Sequence, residues 1–234
     1  MLYEMTGALH LPQGTKVVDV GCGDGRHALQ LAGRFGFRVT AIDPVEYQVA
    51  MGRTSLKAAE EEHPGIADRV VFSVGDASQD LVWCRDVLSH VVRLDDAYGE
   101  FWRVLRPGGH ALIYQSVFVT ERFGPADESM HPLDVPSSAD PACAEAAIAV
   151  SGFSVSTRIE VGSEWGEHLQ ETTGEPGRRL LHAARLLRDP ERYISKYGPE
   201  MYRLMVADCM WHIFRMIGKL SGRIYLLSKP GSAA

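Results

Sequence analysis

The segment from Val17 to Gly25 constrains the fold more than any other part of this 234-residue chain. It reads Val-Val-Asp-Val-Gly-Cys-Gly-Asp-Gly, and a helical pattern begins directly after it at Arg26. The apolar run predicts a buried strand, and glycines at alternate positions let the backbone bend sharply and approach a ligand closely. The amides of the turn and the start of the helix favour a bound anionic group. The segment therefore predicts a strand, a ligand-binding turn and a helix.

The glycine spacing differs from that of the dinucleotide-binding fingerprint. Gly25 follows Gly23 by two residues, whereas the fingerprint places its third glycine three residues after the second. A second apolar strand, predicted at Arg38–Asp43, ends in a carboxylate about 20 residues beyond the glycines, where an acid can hold ribose hydroxyls. A third strand, predicted at Val70–Val74, is also followed by an acid, Asp76.

Strand and helix patterns alternate along the rest of the chain. Further strands are predicted at Leu81–Cys84, Gly109–Phe118, Phe153–Val161 and Gly222–Lys229. Repeated strand–helix units with short links predict an α/β fold, in which helices cover both faces of a largely parallel sheet. The length fits a single domain over residues 1–234.

The order of these blocks resembles that of a known enzyme family. The glycine turn, the two acids that follow strands, and Arg103–Gly109 (Arg-Val-Leu-Arg-Pro-Gly-Gly) before the next strand occur in the same succession. Over residues 15–155 the chain resembles the class I S-adenosylmethionine-dependent methyltransferases that act on small molecules. The resemblance implies a doubly wound, Rossmann-like sheet of seven strands, with the last strand, Gly222–Lys229, antiparallel near the edge.

The resemblance also implies a site for S-adenosylmethionine. It assigns the methionine end of the cofactor to Asp19, Gly21, Gly23 and Gly25. Asp43 is expected to accept hydrogen bonds from the ribose hydroxyls, although an acid just before a helix can also act as its cap. Asp76 is expected to face the adenine amino group, with the backbone of Ala77 beside it. Cys84 is expected to lie under the methionine moiety through its backbone carbonyl.

Residues 164–221 separate the last two predicted strands and have a helical pattern. Helices are predicted at Arg178–Leu187, Pro190–Tyr197 and Pro199–Lys219. Members of the family that the chain resembles join these two strands by a short turn. A long insertion in a compact domain is usually functional. In such folds it emerges near the carboxyl ends of the strands, where ligands bind. We therefore expect the insertion to be a lid over the acceptor pocket.

Two features of the insertion each allow two interpretations. The arginines between Arg178 and Arg192 are either the solvated face of a helix or a grip on an anionic substrate group. The stretch 201–216, rich in Met and aromatic residues, is either a core-facing helix or a pliable apolar pocket wall. The candidate substrate-binding residues are Trp165, Arg178, Arg179, Tyr202, Trp211 and Phe214.

Three side chains are candidates for a general base. Glu167 ranks first and Glu164 second, because they open the insertion beside Trp165, and shielding by an aromatic ring raises the pKa of a carboxyl. Acids are also common in the first turn of a helix for purely structural reasons. His90 ranks third because it follows the fourth strand, and its alternative is a surface turn.

These features predict methyl transfer to a small, largely apolar metabolite, in secondary metabolism of the bacterial type. Methyl transfer from a sulfonium needs alignment and exclusion of water more than a strong electrostatic catalyst. The acid, aromatic and arginine side chains of the insertion favour C-methylation of an isoprenyl diphosphate, with Mg²⁺ as a potential partner of the diphosphate. The sequence identifies no metal ligands. Alternatives are O- or N-methylation of another small molecule, and S-adenosylmethionine binding without methyl transfer.

Composition excludes several other classes of function. The net charge of −6 argues against a nucleic-acid partner, because binding a polyanion needs clustered Lys and Arg. No long uncharged apolar run is present, which argues against membrane insertion. The four scattered cysteines and a start, Met1–Glu4, without a basic and apolar signal pattern predict a reduced, cytoplasmic protein.

Overall fold

A computed structural model describes residues 1–43, 46–72, 79–130, 136–162 and 164–231, and it contains one sheet of seven strands. The strands are β1 (Lys16–Val20), β2 (Arg38–Ile42), β3 (Val70–Phe72), β4 (Gln79–Arg85), β5 (Leu105–Val119), β6 (Ser154–Gly162) and β7 (Leu220–Ser228). Their order across the sheet is β3-β2-β1-β4-β5-β7-β6. The doubly wound α/β class with seven strands is thereby confirmed.

The first five strands are parallel and the last one is antiparallel to its neighbours. Val18 pairs with Thr40 of β2 and with Val82 of β4, and all pairs from β3 to β5 are parallel. Gly108 donates to the Lys229 carbonyl at 3.0 Å, and Thr120 donates to the Lys219 carbonyl at 3.1 Å. Residue numbers thus rise along β5 while they fall along β7, which confirms the antiparallel seventh strand.

Ten α-helices accompany the strands in the part of the chain that the structure describes. They are α1 (Leu2–Ala8), α2 (Arg26–Phe35), α3 (Glu46–Glu62), α4 (Leu94–Val104), α5 (Pro125–Met130), α6 (Pro141–Ser151), α7 (Glu164–Thr173), α8 (Glu175–Arg188), α9 (Pro190–Tyr197) and α10 (Pro199–Met216). Pro occupies the first turn of α8, α9 and α10, where its missing N–H leaves no hydrogen bond unmade. The insertion between β6 and β7 is helical, as predicted.

Among the element boundaries that differ from the sequence prediction, the start of β5 and the end of α10 have an identifiable physical reason. β5 begins at Leu105 and not at Gly109, because Leu105 already pairs with Gln79 while His110 pairs with Leu81. The residues between those two pairs, Arg-Pro-Gly-Gly, bulge out of the ladder. Helix α10 ends at Met216 and not at Lys219, because Gly218 has a φ of +75°, a left-handed conformation that ends helices.

The chain divides into two compact units. The first unit comprises Met1–Tyr114, Glu145–Arg158 and Ile224–Ala234. Its core lies on both faces of the parallel strands and includes Val17, Leu31, Leu81, Val82, Leu112 and Ile113. The second unit comprises Gln115–Ala144 and Ile159–Arg223. Its core cluster consists of Ala183, Leu186, Val206, Cys209, Met210, Phe214 and Leu220.

Candidate cofactor site

The turn after β1 has the backbone conformation that its glycines make possible. Gly21, Gly23 and Gly25 have φ values of +68°, +53° and +76°, in the left-handed region that residues with a Cβ rarely adopt. The amides of Gly21 and Cys22 both donate to the Ile42 carbonyl, at 2.9 and 3.0 Å. These bonds join the turn to the end of β2 and thereby hold the loop between β1 and α2 in place.

The three glycines have different surroundings. A Cβ on Gly21 would lie 2.2 Å from Val87 Cγ2, and a Cβ on Gly25 would lie 2.7 Å from the Phe72 ring. A Cβ on Gly23 would meet no described atom within 4 Å. Gly21 and Gly25 are therefore required by packing. Gly23 is the glycine whose backbone faces space that a ligand can use.

Asp43 is tied to the glycine loop. Its Oδ2 atom accepts a hydrogen bond from the Gly23 amide at 3.0 Å. The carboxylate at the end of β2 is thus fixed against the loop by a charge-assisted hydrogen bond. This position brings together two of the residues that the resemblance assigned to S-adenosylmethionine.

Asp19 is a buried carboxyl group on β1. Its side chain is 2% exposed, and its Oδ2 atom has no hydrogen-bond partner among the described residues. Burial raises the pKa of Asp19 from 3.8 to about 7; the Ala28 amide lowers this pKa and the charge of Asp43 raises it. A buried polar atom without a partner is rare and calls for a physical explanation.

Among the described residues, the indole of Trp83 is a buried donor without a partner, whereas Asp19 Oδ2 is a buried acceptor without one. Trp83 is paired in register with Asp19 on the neighbouring strand β4, it is 1% exposed, and its Nε1 donor also lacks a partner among the described residues. A zwitterionic amino-acid group carries both a donor for a carboxylate and an acceptor for an indole N–H. The residues around the glycine loop therefore fit the methionine end of S-adenosylmethionine.

A hydrogen-bonded cluster beside Trp83 was missed by the sequence analysis. The Tyr3 ring stacks on Trp83 at 5.4 Å between centroids, and Tyr3 Oη lies 2.6 Å from His27 Nδ1. Arg85 donates to His27 Nε2 at 3.1 Å. Because a guanidinium only donates, the neutral ring carries its proton on Nδ1 and donates it to Tyr3. The only sequence signal for this cluster is the position of His27 directly after the glycine turn.

His27 stays neutral over the ordinary pH range. Burial, with a further contribution from the charges of Arg85 and Arg26, lowers the pKa of His27 to about 4. Tyr3, which lies on α1, has a pKa raised chiefly by burial. The cluster therefore orders the start of the chain through fixed hydrogen bonds that do not titrate near neutral pH.

The remaining candidate residues of the first unit are Asp76, Ala77, Cys84 and His90. Asp76 and Ala77 fall within 73–78, outside the described residues. Cys84 is 1% exposed near the end of β4, and burial raises the pKa of its thiol. His90 is exposed and ends a short 3-10 turn that begins at Leu88.

The candidate acids of the second unit lie on α7. Glu164 and Glu167 are both exposed in its first turn. The side chain of Trp165 lies outside the described set. The predicted role of Glu167 as a base stays a prediction, which rests on the chemistry of the residue and its place in the chain.

Both arginines named as substrate ligands have partners within the second unit. Arg178 donates to the Thr173 carbonyl at the end of α7 at 2.8 Å. Arg179 pairs with Asp208 of α10 and lies 3.6 Å from Glu175. These bonds link α7, α8 and α10, so each guanidinium has a structural use.

The aromatic candidates on α10 face the core of the second unit. Phe214 is 2% exposed and packs edge to face on Phe123 at 5.5 Å between centroids. Tyr202 and Trp211 are partly buried against the same core cluster, and Tyr202 Oη donates to the Leu186 carbonyl at 3.4 Å. The core-facing interpretation of this helix is thereby supported for Phe214.

The described ranges contain neither a cluster of metal ligands nor a helix suited to cross a membrane. Within them, no group of three or more His, Cys, Asp or Glu side chains is arranged to hold a metal ion. No α-helix of those ranges combines the length and the apolar character that a bilayer crossing requires.

The segment that contains the glycine loop is similar to known proteins. Residues 18–113 match the family described as "Methyltransferase domain". A sterol 24-C-methyltransferase of Eremothecium gossypii is 31% identical over 121 residues, which cover 48% of this chain and 31% of that protein. An S-adenosyl-L-methionine-dependent Diels-Alderase of Talaromyces variabilis is 33% identical over 111 residues, covering 45% and 38%. The chain thus spans only 31% and 38% of the length of these relatives.

Solved structures share the fold over nearly the whole chain. The [4+2]-cyclase SpnF aligns with a TM-score of 0.71 and 21% identity, covering 95% of this chain and 77% of that one. Geranyl diphosphate C-methyltransferase from Streptomyces coelicolor, solved with Mg²⁺, geranyl diphosphate and S-adenosyl-L-homocysteine, aligns with a TM-score of 0.65 and 13% identity, covering 97% and 78%. The chain thus contains a segment that matches the "Methyltransferase domain" family over residues 18–113, and it shares the fold of these solved structures.

Proposed function

We propose that this chain transfers a methyl group from S-adenosylmethionine to a small, largely apolar acceptor. The observation that carries the proposal is the buried Asp19 carboxyl group, whose Oδ2 atom lacks a partner among the described residues. It precedes a glycine loop in which Gly23 faces open space. A cationic ammonium group would pair with this carboxylate, and the loop backbone would accommodate the rest of the amino-acid moiety.

Each residue of the proposed cofactor site has a distinct task. The bound cofactor supplies a methyl group on a positively charged sulfur. Asp19 would pair with the ammonium group of the cofactor, and Asp43 would accept hydrogen bonds from its ribose hydroxyls. The Gly23 backbone would be the part of the loop that approaches the cofactor most closely. Since methyl transfer by in-line displacement removes charge, these residues contribute by alignment and by excluding water.

We extend the proposal to C-methylation of an isoprenyl diphosphate. Support comes from a relative named as a sterol 24-C-methyltransferase and from the fold shared with geranyl diphosphate C-methyltransferase. In this reaction an alkene carbon takes the methyl group, and a base then removes a proton from the methylated skeleton. Glu167 is our first choice for that base, before Glu164 and His90. A diphosphate would bring Mg²⁺ with it, as in the geranyl diphosphate complex.

We assign recognition of the acceptor to the helical segment 164–221, which would act as a lid. Four consecutive helices, α7 to α10, make up most of this segment. A segment of this length between two strands is usually functional. The exposed apolar side chains of α10, Met201 and Leu204, would supply apolar surface of the kind that isoprenoid chains require.

A screen by mass spectrometry tests the proposed activity. The full chain is incubated with S-adenosylmethionine and pooled small metabolites, including isoprenyl diphosphates with and without Mg²⁺. We expect a product heavier than its acceptor by one CH₂, formed together with S-adenosylhomocysteine. If an alcohol or an amine is methylated in place of an isoprenoid, the activity is O- or N-methylation. Isoprenyl diphosphates that are neither bound nor methylated would refute the specific substrate.

Two substitutions are expected to separate cofactor binding from catalysis. Asp43→Ala removes the partner of the Gly23 amide and should weaken S-adenosylmethionine binding about 10- to 100-fold. Glu167→Gln should lower kcat about 10²- to 10⁴-fold, the usual contribution of a general base, and leave cofactor binding unchanged. Calorimetric titration and steady-state kinetics measure the two effects.

Glu171→Gln is the matched control for Glu167→Gln. Glu171 is exposed on the same helix, one turn further on, and its neutralisation should leave kcat unaltered. If Glu171→Gln reduces turnover as much as Glu167→Gln does, the helix acts through its overall charge and not through one base. Equal loss of cofactor affinity in Asp43→Ala and Glu167→Gln would overturn the division of roles.

A second candidate function is catalysis that needs bound S-adenosylmethionine but transfers no methyl group. It is favoured by the relative named as an S-adenosyl-L-methionine-dependent Diels-Alderase and by the fold shared with a [4+2]-cyclase. Formation of S-adenosylhomocysteine separates the two functions. Conversion of an acceptor without it would favour the second one.

A further inference from the structure

A cluster of three arginines occupies the corner between α8 and α9. Arg185 and Arg188 lie in the last turn of α8, a single residue (Asp189) separates the two helices, and Arg192 follows in the first turn of α9. These side chains, with Asp189 and Tyr193, line a recess of about 720 Å³. We refer to this site, defined by those five residues, as the arginine recess.

The arginines of the recess differ from most of their counterparts in the same chain. Arg93, Arg103, Arg158, Arg179 and Arg223 each form an ion pair with an acid. Within the described residues, the guanidinium groups of Arg185, Arg188 and Arg192 form no ion pair and no hydrogen bond. Three unpaired guanidinium groups thus converge on one volume, in a chain whose net charge is −6.

The acid in the recess has a structural task of its own. Asp189 Oδ1 accepts a hydrogen bond from the Arg192 amide at 3.3 Å and caps α9. One carboxylate engaged as a helix cap opposes three guanidinium groups, so the recess keeps a charge of about +2. An anion with two negative charges is therefore the complementary ligand.

The wall of the recess is fixed by the core of the second unit. Tyr193 is partly buried and packs against the core cluster that includes Leu186 of α8. Leu186 itself is 0% exposed, which anchors the helical turn that carries Arg185 and Arg188. The backbone positions of the arginines are set by packing, so little ordering of the main chain is needed when a ligand binds.

We propose that the arginine recess binds a phosphate or diphosphate group. Guanidinium groups bind phosphate oxygens through paired, charge-assisted hydrogen bonds, and a cluster of them is the usual means of recognising a phosphate dianion. The volume lies within the 300–1,000 Å³ that is typical of sites for small ligands. The group belongs either to a free small molecule or to the headgroup of a lipid, since the chemistry is the same. The proposal rests on α8 and α9 alone and does not depend on methyl transfer.

Titration with inorganic pyrophosphate and with lipid vesicles tests the site on the full chain. The test variant is Arg185→Gln/Arg188→Gln/Arg192→Gln. The control variant is Arg93→Gln/Arg103→Gln/Arg158→Gln, which removes the same charge from three exposed arginines in ion pairs elsewhere. We expect pyrophosphate affinity to fall by about tenfold or more in the test variant and to stay unchanged in the control. Binding should also weaken as NaCl rises.

Vesicles of phosphatidic acid in phosphatidylcholine distinguish the source of the phosphate. Binding of the wild-type chain to these vesicles but not to pyrophosphate, lost only in the test variant, supports the same site with a lipid headgroup as ligand. Pyrophosphate binding lost only in the test variant supports a free phosphate ligand. Binding to neither probe, or an equal loss in both variants, overturns the proposal. Circular dichroism and the thermal midpoint verify that each variant is folded.

Discussion

Asp19→Asn is expected to weaken S-adenosylmethionine binding by roughly a hundredfold or more, because breaking a buried ion pair costs about 3–5 kcal/mol. The same substitution is expected to stabilise the ligand-free protein at pH 8. The two effects have opposite signs because the carboxylate is buried without a full set of partners. In the free protein its charge is a cost, whereas in the complex it would meet a cation. A purely structural acid would not show this combination.

The stability effect of Asp19 depends on pH in a defined direction. The pKa of Asp19 is about 7 in the folded chain, against an ordinary value of 3.8. Between these values the folded state holds a proton that the unfolded state has lost, so stability falls as pH rises through this window, by about 1.4 kcal/mol per pH unit at most. Above pH 7 the cost is complete, on the order of 4 kcal/mol. Asp19→Asn should therefore be more stable than wild type at pH 8 and similar to it near pH 4.

Affinity should follow the same ionisation. Only the ionised carboxylate pairs with an ammonium, so the Kd of the wild-type chain should increase as pH falls from 7.5 to 6, approaching tenfold per pH unit well below the pKa. Asp19→Asn should lack this added slope, and Asp68→Asn, at an exposed acid, serves as the control for a lost negative charge. Thermal unfolding and calorimetric titration at several pH values measure both effects. A pH-independent wild-type affinity would show that Asp19 does not face the ligand.

Gly21→Ala and Gly23→Ala are expected to fail in different ways. The Cβ of Gly21→Ala would lie 2.2 Å from Val87 Cγ2, so the loop or its neighbour must shift, at a cost of about 2–4 kcal/mol when overpacking is added to the strained φ. The Cβ of Gly23→Ala meets no described atom within 4 Å, which leaves about 1 kcal/mol for the left-handed conformation. That Cβ would nevertheless enter the space that we assign to the cofactor.

The comparison of these two variants measures stability and binding separately. Urea unfolding should show a much larger loss of stability for Gly21→Ala than for Gly23→Ala. Calorimetry at a temperature where both are folded should show about tenfold or greater loss of cofactor affinity for Gly23→Ala, since a Cβ in a ligand's path costs more than 1.4 kcal/mol. If Gly23→Ala binds S-adenosylmethionine as wild type does, the ligand does not approach this part of the loop.

The parts of the fold with strong local patterns could be predicted from the sequence. β1, the glycine turn and α2 were predicted within one residue, because an apolar run, glycines in left-handed conformations and an amphipathic helix are all local signals. The start of β5 was predicted wrongly because its pairing with Gln79 of β4 is long-range. The Arg-Pro-Gly-Gly sequence has the composition of a turn and forms a bulge inside the strand.

The surroundings of the site residues could not be predicted, because they depend on distant partners. Asp19 follows two valines in sequence, and nothing there indicates that one carboxylate oxygen lacks a partner. The stacking of Tyr3 on Trp83 joins residues of α1 and β4, which are far apart in the sequence. In the insertion, Arg178 and Arg179 were named as candidate substrate ligands, and that role stays a prediction. Each has a partner within the helices, whereas the arginines without a partner among the described residues occur at the next corner.

Calorimetric titration of the full chain with S-adenosylmethionine and with S-adenosylhomocysteine tests the proposed cofactor site. We expect one site per chain for each ligand, with affinity lost in Asp19→Asn and retained in Asp68→Asn. Saturable binding with this pattern would establish the cofactor site at the glycine loop. If neither ligand binds to the folded chain, the glycine loop is not a site for S-adenosylmethionine.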